Sequence, residues 1–231
     1  MIKGFRGTSL VDYPGKISAV IFFGGCNFRC PFCYNVDLVL PERLKDIPEI
    51  GIDEVLAEIQ KRKGFISGVV ITGGEPTLHP RLLRSLMERI KAEVSLPIKL
   101  DTNGSKPEVI KSLLKENLVN FIAIDFKAAP ERYPELRGNF AQIEETLSVI
   151  AGHVPFEIRI TAVPYFISHN ELEKLAPFME GAERVAIQRF MNEYEKLNPE
   201  IDLGAYSPEE LKSLKVFLEG KVNVPVVLRN V

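Results

Sequence analysis

All three cysteines of the chain lie close together, at Cys26, Cys30 and Cys33, with the spacing C-x3-C-x2-C. Three cysteines cannot all pair with one another, and a disulfide scaffold needs more of them. Three thiolates at this spacing can instead bind one compact inorganic centre. Free cysteines are common in protein cores, but three in one glycine- and proline-bounded loop is a poor core pattern. We therefore predict a metal centre.

Two kinds of metal centre are compatible with these cysteines. A structural zinc ion usually has four protein ligands, and His79, 46 residues beyond Cys33, is the candidate for the fourth. A four-iron cluster usually has four cysteine ligands, so that three cysteines leave one iron open to a substrate or cofactor. The spacing by itself leaves both alternatives open.

Glycines and charged residues stand at the ends of the strands that follow. They are Gly73, Gly74, Glu75, Asp101, Thr102, Asp125 and Lys127. Glycines let the backbone approach a ligand closely, and carbonyl groups beside Glu75 would accept hydrogen bonds from an ammonium group.

Asp101 and Asp125 would lie on adjacent strands, where like charges call for a cation between them. Lys127 offers a charge for a carboxylate, and an internal Asp–Lys ion pair is the alternative. An inward Arg159 would meet a carboxylate or the substrate, and pairing across the sheet is the alternative.

Short apolar runs alternate with segments of helical period along the chain. The predicted strands are residues 19–23, 68–72, 98–102, 121–126, 156–163 and 184–190, with a candidate last strand at 224–228. The predicted helices are residues 52–61, 80–93, 107–116, 140–150, 171–179 and 208–218. Near-continuous apolar strands and repeated βα units predict a parallel α/β fold.

The preferred architecture is a partial (β/α)6 TIM-like barrel with parallel strands, and a doubly wound open sheet is the alternative. The residues around the first strand and its loop are expected to be irregular. In either architecture ligands bind at the carboxyl ends of the strands. We therefore expect the cysteines, glycines and charged residues to meet at one edge.

The composition restricts the setting of this chemistry. The 231 residues fit one domain, residues 1–231, and the net charge of −2 gives no general attraction to nucleic acid or acidic membranes. No apolar run has the roughly 18 residues of a membrane span, and the N-terminus has no apolar export segment. The few cysteines indicate a reducing, cytoplasmic location.

Two motifs together resemble the radical S-adenosylmethionine (SAM) superfamily. They are C-x3-C-x2-C, with Phe32 directly before the third cysteine, and Gly-Gly-Glu-Pro at residues 73–76. The resemblance implies the radical SAM core fold, with a [4Fe-4S] cluster bound by the three cysteines and SAM chelated by the open iron. It also implies that Phe32 belongs to the cofactor site and that residues 73–76 receive the amino group of SAM.

Further segments resemble the glycyl-radical-enzyme activating enzymes, in particular the anaerobic ribonucleoside-triphosphate reductase activating proteins. These segments are residues 7–15, 22–26, 34–35, 100–104 and 123–127. The resemblance implies that Asp101, Thr102 and Asp125 serve SAM or a monovalent cation, and that Lys127 serves the SAM carboxylate. The chain departs from the family at Tyr34, where a histidine is usual, and at residues 188–191, which contain no ribose-binding histidine.

The reaction implied by the resemblance is reductive cleavage of SAM to methionine and a 5′-deoxyadenosyl radical. That radical would remove a hydrogen atom from a glycine of a partner, expected to be an anaerobic ribonucleotide reductase. A flavodoxin- or ferredoxin-type protein would supply the electron. The alternatives are another glycyl-radical partner such as pyruvate formate-lyase, a small-molecule substrate as in 7-carboxy-7-deazaguanine synthase, or a non-enzymatic zinc protein.

Overall fold

The computed structural model describes residues 1–230, and Val231 lies outside the described residues. The chain divides into two compact units. The first comprises residues 1–27, 37–102 and 108–122, and the second comprises residues 28–36, 103–107 and 123 onward. The strands of the sheet, whose ranges are given below, lie side by side in the order in which they occur along the chain.

Four strands form the sheet of the first unit. They are β1 (Ile2–Tyr13), β2 (Lys16–Phe23), β3 (Gly68–Gly73) and β4 (Ile98–Thr102). Strands β2, β3 and β4 pair in parallel, with Ala19 opposite Val69 and Val69 opposite Ile98. All five residues of β4 are buried, as expected for a parallel strand covered on both faces.

Strand β1 is an element that the sequence patterns did not predict. It pairs with β2 in antiparallel fashion, and the two strands are joined at Pro14 and Gly15. Proline favours the first central position of a tight turn, and Gly15 has a φ of +69°, which favours glycine at the second. The prediction of irregular structure around the first strand is therefore wrong for this segment, and the Pro-Gly pair was the available signal.

Along the chain, α-helices follow strands β2, β3 and β4. They are α1 (Val36–Val39), α2 (Pro41–Leu44), α3 (Ile52–Gln60), α4 (Pro80–Arg89) and α5 (Pro107–Lys115). Helix α3 buries Val55, Leu56 and Ile59 on one stripe, as its period predicts. The predicted helix 80–93 is α4 followed by a π-helical turn, Ile90–Val94, which ends at the left-handed residue Ser95.

The second unit continues the βα alternation. Its elements are β6 (Phe156–Ala162), β7 (Arg184–Arg189), β8 (Val226–Arg229), α6 (Phe140–Ile150), α7 (His169–Leu175) and α8 (Pro208–Glu219). Strand β5 (Phe121–Phe126) contributes its first two residues to the first unit and the rest to the second. Strands β6, β7 and β8 pair in parallel. The predicted helix 171–179 becomes 3-10 helical from Ala176 onward, because Pro177 cannot donate an α-helical hydrogen bond.

The strand order decides between the two predicted architectures. A doubly wound sheet reverses its strand order at a switch point, whereas these strands follow chain order without reversal. The fold is therefore the singly wound partial barrel that the sequence predicts, with the antiparallel strand β1 added at its edge. Within residues 1–230, no helix has the length and apolar character that crossing a membrane requires.

Glu157 carries a buried charge in the second unit. Its side chain is fully buried, and its Oε2 accepts hydrogen bonds from Arg184 Nε at 2.9 Å and Arg229 Nη2 at 2.8 Å. Carboxylates in such positions are costly unless they are paired. The three residues come from β6, β7 and β8, so this network links the three parallel strands.

We expect Glu157→Gln to lower the free energy of unfolding by about 3–5 kcal/mol, because it removes one partner of a buried ion-pair network. Urea unfolding of the metal-free protein at pH 7 measures this loss. The matched control is Glu173→Gln, which removes an exposed pair with Lys221 at 2.6 Å and should cost less than about 1 kcal/mol. Equal losses in the two variants would contradict the role given to Glu157.

Candidate active site

The segment that leads into the first cysteine is held by the loop after β3. The backbone N–H of Gly74 donates to Phe23 O at 2.8 Å, and the N–H of Glu75 donates to Gly25 O at 2.7 Å. Cys26 follows directly. The predicted meeting of the strand ends is therefore confirmed within the first unit for β2 and β3.

The two glycines of this loop are required by the closeness of the two backbones. A Cβ on Gly73 would lie 2.3 Å from Phe23 O, and a Cβ on Gly74 would lie 2.1 Å from Gly25 O. Gly73 also has a φ of +121°, a conformation that other residues rarely adopt. From the sequence, these glycines are expected to let the backbone approach a ligand closely. In the structure they let the loop approach the backbone of residues 23–25 closely.

Glu75 connects the loop to the end of β4. Its buried carboxylate accepts hydrogen bonds from the backbone N–H and hydroxyl of Thr77, at 3.1 and 2.6 Å, and from the Thr102 hydroxyl at 2.8 Å. The first of these caps the 3-10 helix Pro76–Leu78. Glu75 and Thr102 thus contact each other as predicted site residues. A direct contact of Glu75 with the amino group of SAM remains a prediction.

His79 supports the same segment from the other side. Its Nε2 lies 2.8 Å from Gly24 O, and because a carbonyl oxygen only accepts, Nε2 carries the proton. The ring also packs against Phe23, with ring centroids 6.0 Å apart. From the sequence, His79 is only a candidate zinc ligand, and its spacing gives no signal of this supporting role.

The geometry bears on the choice between one zinc ion and an iron cluster. Within the part of the chain that the structure describes, no group of three or more His, Cys, Asp and Glu side chains is arranged to hold a metal ion. Four zinc ligands would surround one ion, and three cysteines of a four-iron cluster would each bind a different iron of one compact centre. This geometry by itself therefore leaves both alternatives open.

Asp101 is neutralised by a residue of its own strand. Lys99 and Asp101 are two residues apart on β4, and Lys99 Nζ lies 2.5 Å from Asp101 Oδ1. Their side chains are only 0% and 4% exposed. Lys99 was not among the predicted site residues, although a lysine within the apolar run IKLDT signals a buried charge.

In the second unit, the cysteine loop is held by main-chain hydrogen bonds. The N–H of Cys33 donates to Cys30 O at 3.1 Å, which closes the C-x2-C turn. The N–H of Arg29 donates to Leu136 O at 2.8 Å, and the N–H of Leu197 donates to Cys33 O at 3.2 Å. The loop is thereby fixed by the segments that follow β5 and β7.

Asp125 lies between two cations of the second unit. Its carboxylate accepts a hydrogen bond from Arg159 Nε at 2.8 Å and one from Lys127 Nζ at 3.3 Å. Burial alone would raise the pKa of Asp125, but the charges of Arg159 and Lys127 outweigh it, so the pKa lies below its usual range. The carboxylate predicted as a partner of Arg159 is therefore Asp125.

These ion pairs bear on the predicted monovalent cation, which would lie between the like charges of Asp101 and Asp125. Each aspartate instead has a protein cation at hydrogen-bonding distance, Lys99 for the first and Arg159 with Lys127 for the second. The charges of the two aspartates alone therefore do not require a metal ion, and a bound monovalent ion remains a prediction of the family resemblance.

The cysteines themselves suit an iron–sulfur cluster. All three are free of disulfides, with Cys30 buried and the other two partly buried. Burial raises the pKa of the Cys33 thiol, while the charges of Lys127 and Arg29 act in the opposite direction. Metal binding releases the thiol proton, and the two cations would stabilise the resulting thiolate.

Phe32 and Tyr34 flank the third cysteine with different surroundings. Phe32 is buried and packs edge to face against Phe166, with ring centroids 5.4 Å apart. The Tyr34 ring is stacked parallel to Phe190 at 5.5 Å, and its hydroxyl donates to Met191 O at 3.0 Å. Burial raises the pKa of Tyr34 to about 12. The two positions that depart from the family pattern, Tyr34 and the end of β7, thus contact each other.

We expect Gly74→Ala to lower the free energy of unfolding by about 3 kcal/mol, since its methyl group would overlap Gly25 O. It should also displace the segment before Cys26 and reduce the iron bound after reconstitution. Chemical unfolding and iron analysis measure the two effects. Gly51→Ala is the control, because a Cβ there meets nothing within 4 Å. A Gly74→Ala protein with normal stability and iron content would refute the steric argument.

We expect Asp125→Asn to lower the free energy of unfolding by about 2 kcal/mol at pH 7, because it leaves Arg159 and Lys127 beside a neutral group. A lowered pKa means that the aspartate stabilises the fold fully above the usual aspartate pKa of about 3.9, and progressively less below it. The cost should therefore shrink as the pH falls from 4 towards 2. Urea unfolding of the metal-free protein across this range tests it. Asp53→Asn, at an exposed side chain, is the control, and a cost independent of pH would contradict the pairing.

Comparison with known proteins places these features in a family. The family model of the radical SAM superfamily matches residues 20–176. A protein of Methanocaldococcus jannaschii named for glycyl-radical enzyme activation is 33% identical over 198 residues, which cover 82% of this chain and 80% of that protein. The pyruvate formate-lyase-activating enzyme of Clostridium pasteurianum is 27% identical over 236 residues, covering 94% of this chain and 96% of that enzyme.

A solved structure shows the same fold. SuiB of Streptococcus suis, in a crystal structure bound to S-adenosylmethionine, superposes with a TM-score of 0.69 at 15% identity. The match covers 91% of this chain but 52% of SuiB, so the chain spans about half the length of that structure. At this identity the likeness shows the fold alone. From the family model and the relatives together, the chain belongs to the radical SAM superfamily and is related within it to the glycyl-radical-enzyme activating enzymes.

Proposed function

We propose that this protein uses SAM and a [4Fe-4S] cluster to install a glycyl radical on a partner enzyme. The radical SAM family implies both SAM and the cluster. The observation that carries the proposal is the hydrogen-bonded junction between the segment before Cys26 and the loop at Gly74 and Glu75. The Gly-Gly-Glu-Pro motif forms one side of this junction, and the cysteine motif begins directly after the other side.

Cys26, Cys30 and Cys33 are the proposed ligands of the cluster. A four-iron cluster with three cysteine ligands supplies an iron that chelates SAM and the electron that breaks a C–S bond of SAM. The protein's part is to hold the thiolates, to orient SAM and to exclude water. Burial raises the pKa of the Cys33 thiol, and the charges of Lys127 and Arg29 act in the opposite direction, so these cations would offset part of the cost of forming the thiolate.

The proposed SAM site draws on the other predicted residues. The loop of Gly73, Gly74 and Glu75 would receive the amino group of SAM, and Lys127 its carboxylate. This set is completed by Phe32, Asp101, Thr102 and Asp125. Supporting the proposal, Lys127 lies beside Asp125 and acts electrostatically on Cys33, so that its charge is close to one proposed cluster ligand.

In the proposed overall reaction, one electron and one SAM would give methionine and 5′-deoxyadenosine. The hydrogen atom added to form 5′-deoxyadenosine would come from the glycine Cα of the partner, and that carbon would become the radical. We propose an anaerobic ribonucleotide reductase as the partner, from the resemblance of the sequence motifs. Pyruvate formate-lyase is the second candidate, and the length of the match to the Clostridium pasteurianum enzyme favours it. A flavodoxin- or ferredoxin-type protein is the proposed electron donor.

We also propose that residues 1–231 act as one radical SAM domain in the cytoplasm. The three disulfide-free cysteines are consistent with a reducing compartment.

The deciding experiment reconstitutes the protein with iron and sulfide under anoxic conditions. We expect about four irons per chain and, with SAM and a strong reductant, release of methionine and 5′-deoxyadenosine. With the correct partner present, a glycyl radical should be visible by electron paramagnetic resonance. An anaerobic ribonucleotide reductase and a pyruvate formate-lyase are tested in parallel.

Variants separate the parts of this proposal. Changing Cys26, Cys30 and Cys33 to Ala together should abolish iron binding and SAM cleavage. Roughly one zinc and no iron in the anoxically purified protein would overturn the proposal. SAM cleavage without a radical on any glycyl-radical enzyme, but with turnover of a small molecule, would replace the activating role by the alternative seen in 7-carboxy-7-deazaguanine synthase.

A further inference from the structure

The buried ion pair of Lys99 and Asp101 is an unusual feature of the first unit. Both residues belong to β4, their side chains lie on the same face of the strand, and Nζ and Oδ1 are 2.5 Å apart. Lysine is among the residues least often fully buried. Its presence in the middle of an apolar strand therefore needs an explanation.

Stability of the fold does not supply that explanation. Desolvating two charges costs about as much as their attraction returns, and apolar residues of similar volume often stabilise a protein equally well or better. A buried pair is better explained by a need for the charge or for the position of one partner. Here that partner is Asp101, which stands directly before Thr102 at the end of β4.

The surroundings of Asp101 show where its position matters. The Thr102 hydroxyl donates to Glu75 at 2.8 Å, and Glu75 donates its backbone N–H to Gly25 O. Asp101 is thus one residue away from a chain of hydrogen bonds that ends beside Cys26. A carboxylate here without a cation would be a buried charge without compensation, which costs several kcal/mol.

The ammonium of Lys99 compensates the buried charge of Asp101, which a bound metal ion would otherwise have to do. Its ammonium is a compact single positive charge with three donors, and it lies at the Asp101 carboxylate itself. Asp125, in the second unit, is compensated separately by Arg159 and Lys127. Neither aspartate therefore depends on an ion from solution.

We propose that Lys99 is a built-in cation, which holds Asp101 in place and makes SAM binding by this protein independent of monovalent metal ions. The SAM part of this inference rests on the proposed function. The part that concerns the ion pair does not, because it can be measured on the metal-free protein.

The first test compares the unchanged protein in sodium, potassium and choline chloride at one ionic strength, so that general screening is the same. We expect the melting temperature of the metal-free protein to agree within about 2 °C and the dissociation constant of SAM for the reconstituted protein to agree within about twofold. Stabilisation by more than about 5 °C, or SAM binding more than about fivefold tighter, in sodium or potassium than in choline would overturn the proposal.

The second test removes the positive charge of Lys99. Lys99→Met keeps a long side chain and removes the ammonium, and it should lower the melting temperature by on the order of 10 °C in choline. Sodium or potassium should raise the melting temperature of this variant again in part. If Lys99 had only a packing role, these ions would have no such effect. Lys99→Met combined with Asp101→Asn removes both charges, so it should recover stability and show no response to the ions.

The matched control is Lys221→Met, which removes a lysine from an exposed ion pair with Glu173 and should change neither property. A Lys99→Met protein that folds and shows no ion response would contradict the proposal. If Lys99→Met does not fold, recovery of folding in the double variant supports the pairing, and failure to recover contradicts it. Because the melting temperatures are measured on metal-free protein, they test the ion pair even if no glycyl-radical partner is found.

Discussion

The arrangement of the first unit depends on a contact between two backbones in which no side chain fits. Gly73 and Gly74 lie against residues 23–25 so closely that a Cβ would meet backbone oxygen at little more than 2 Å. Two N–H groups of this loop donate to that segment, and Cys26 follows it. The position of the first cysteine is therefore set by the loop of another strand. Hydrogen bonds from Thr102 to Glu75 and from His79 to Gly24 O reinforce it.

A second constraint is the neutralisation of carboxylates inside each unit. Asp101, Asp125 and Glu157 are withdrawn from water to different extents, and each has one or two protein cations at hydrogen-bonding distance. Burial of an unpaired carboxylate would be strongly unfavourable. The pairs of Asp101 and Asp125 therefore permit charged side chains near the carboxyl ends of β4 and β5, where a cofactor with charged groups would need them, whereas Glu157 lies near the amino end of β6.

Much of the fold could be predicted because its signals are local. The parallel strands are continuous apolar runs, and the predicted bounds of β4 and β5 agree with the structure. Strand β1 could not be found in this way, because an antiparallel edge strand exposed on one side carries Leu10 and Val11 in solvent and has no apolar run. Helix bounds failed where proline or a π-turn changed the hydrogen-bonding pattern.

The sequence by itself determined the chemistry that this protein can carry: three cysteines at C-x3-C-x2-C, a Gly-Gly-Glu-Pro loop, and acidic and basic residues at strand ends, since residue types and spacings are local properties. Only the tertiary structure decided which partners those residues contact. The two glycines pack against another backbone, Glu75 accepts hydrogen bonds from Thr77 and Thr102, and Asp101 forms an ion pair with Lys99. The physical reason is that a buried polar group takes whichever partner the fold brings within hydrogen-bonding distance, and that partner need not be a cofactor.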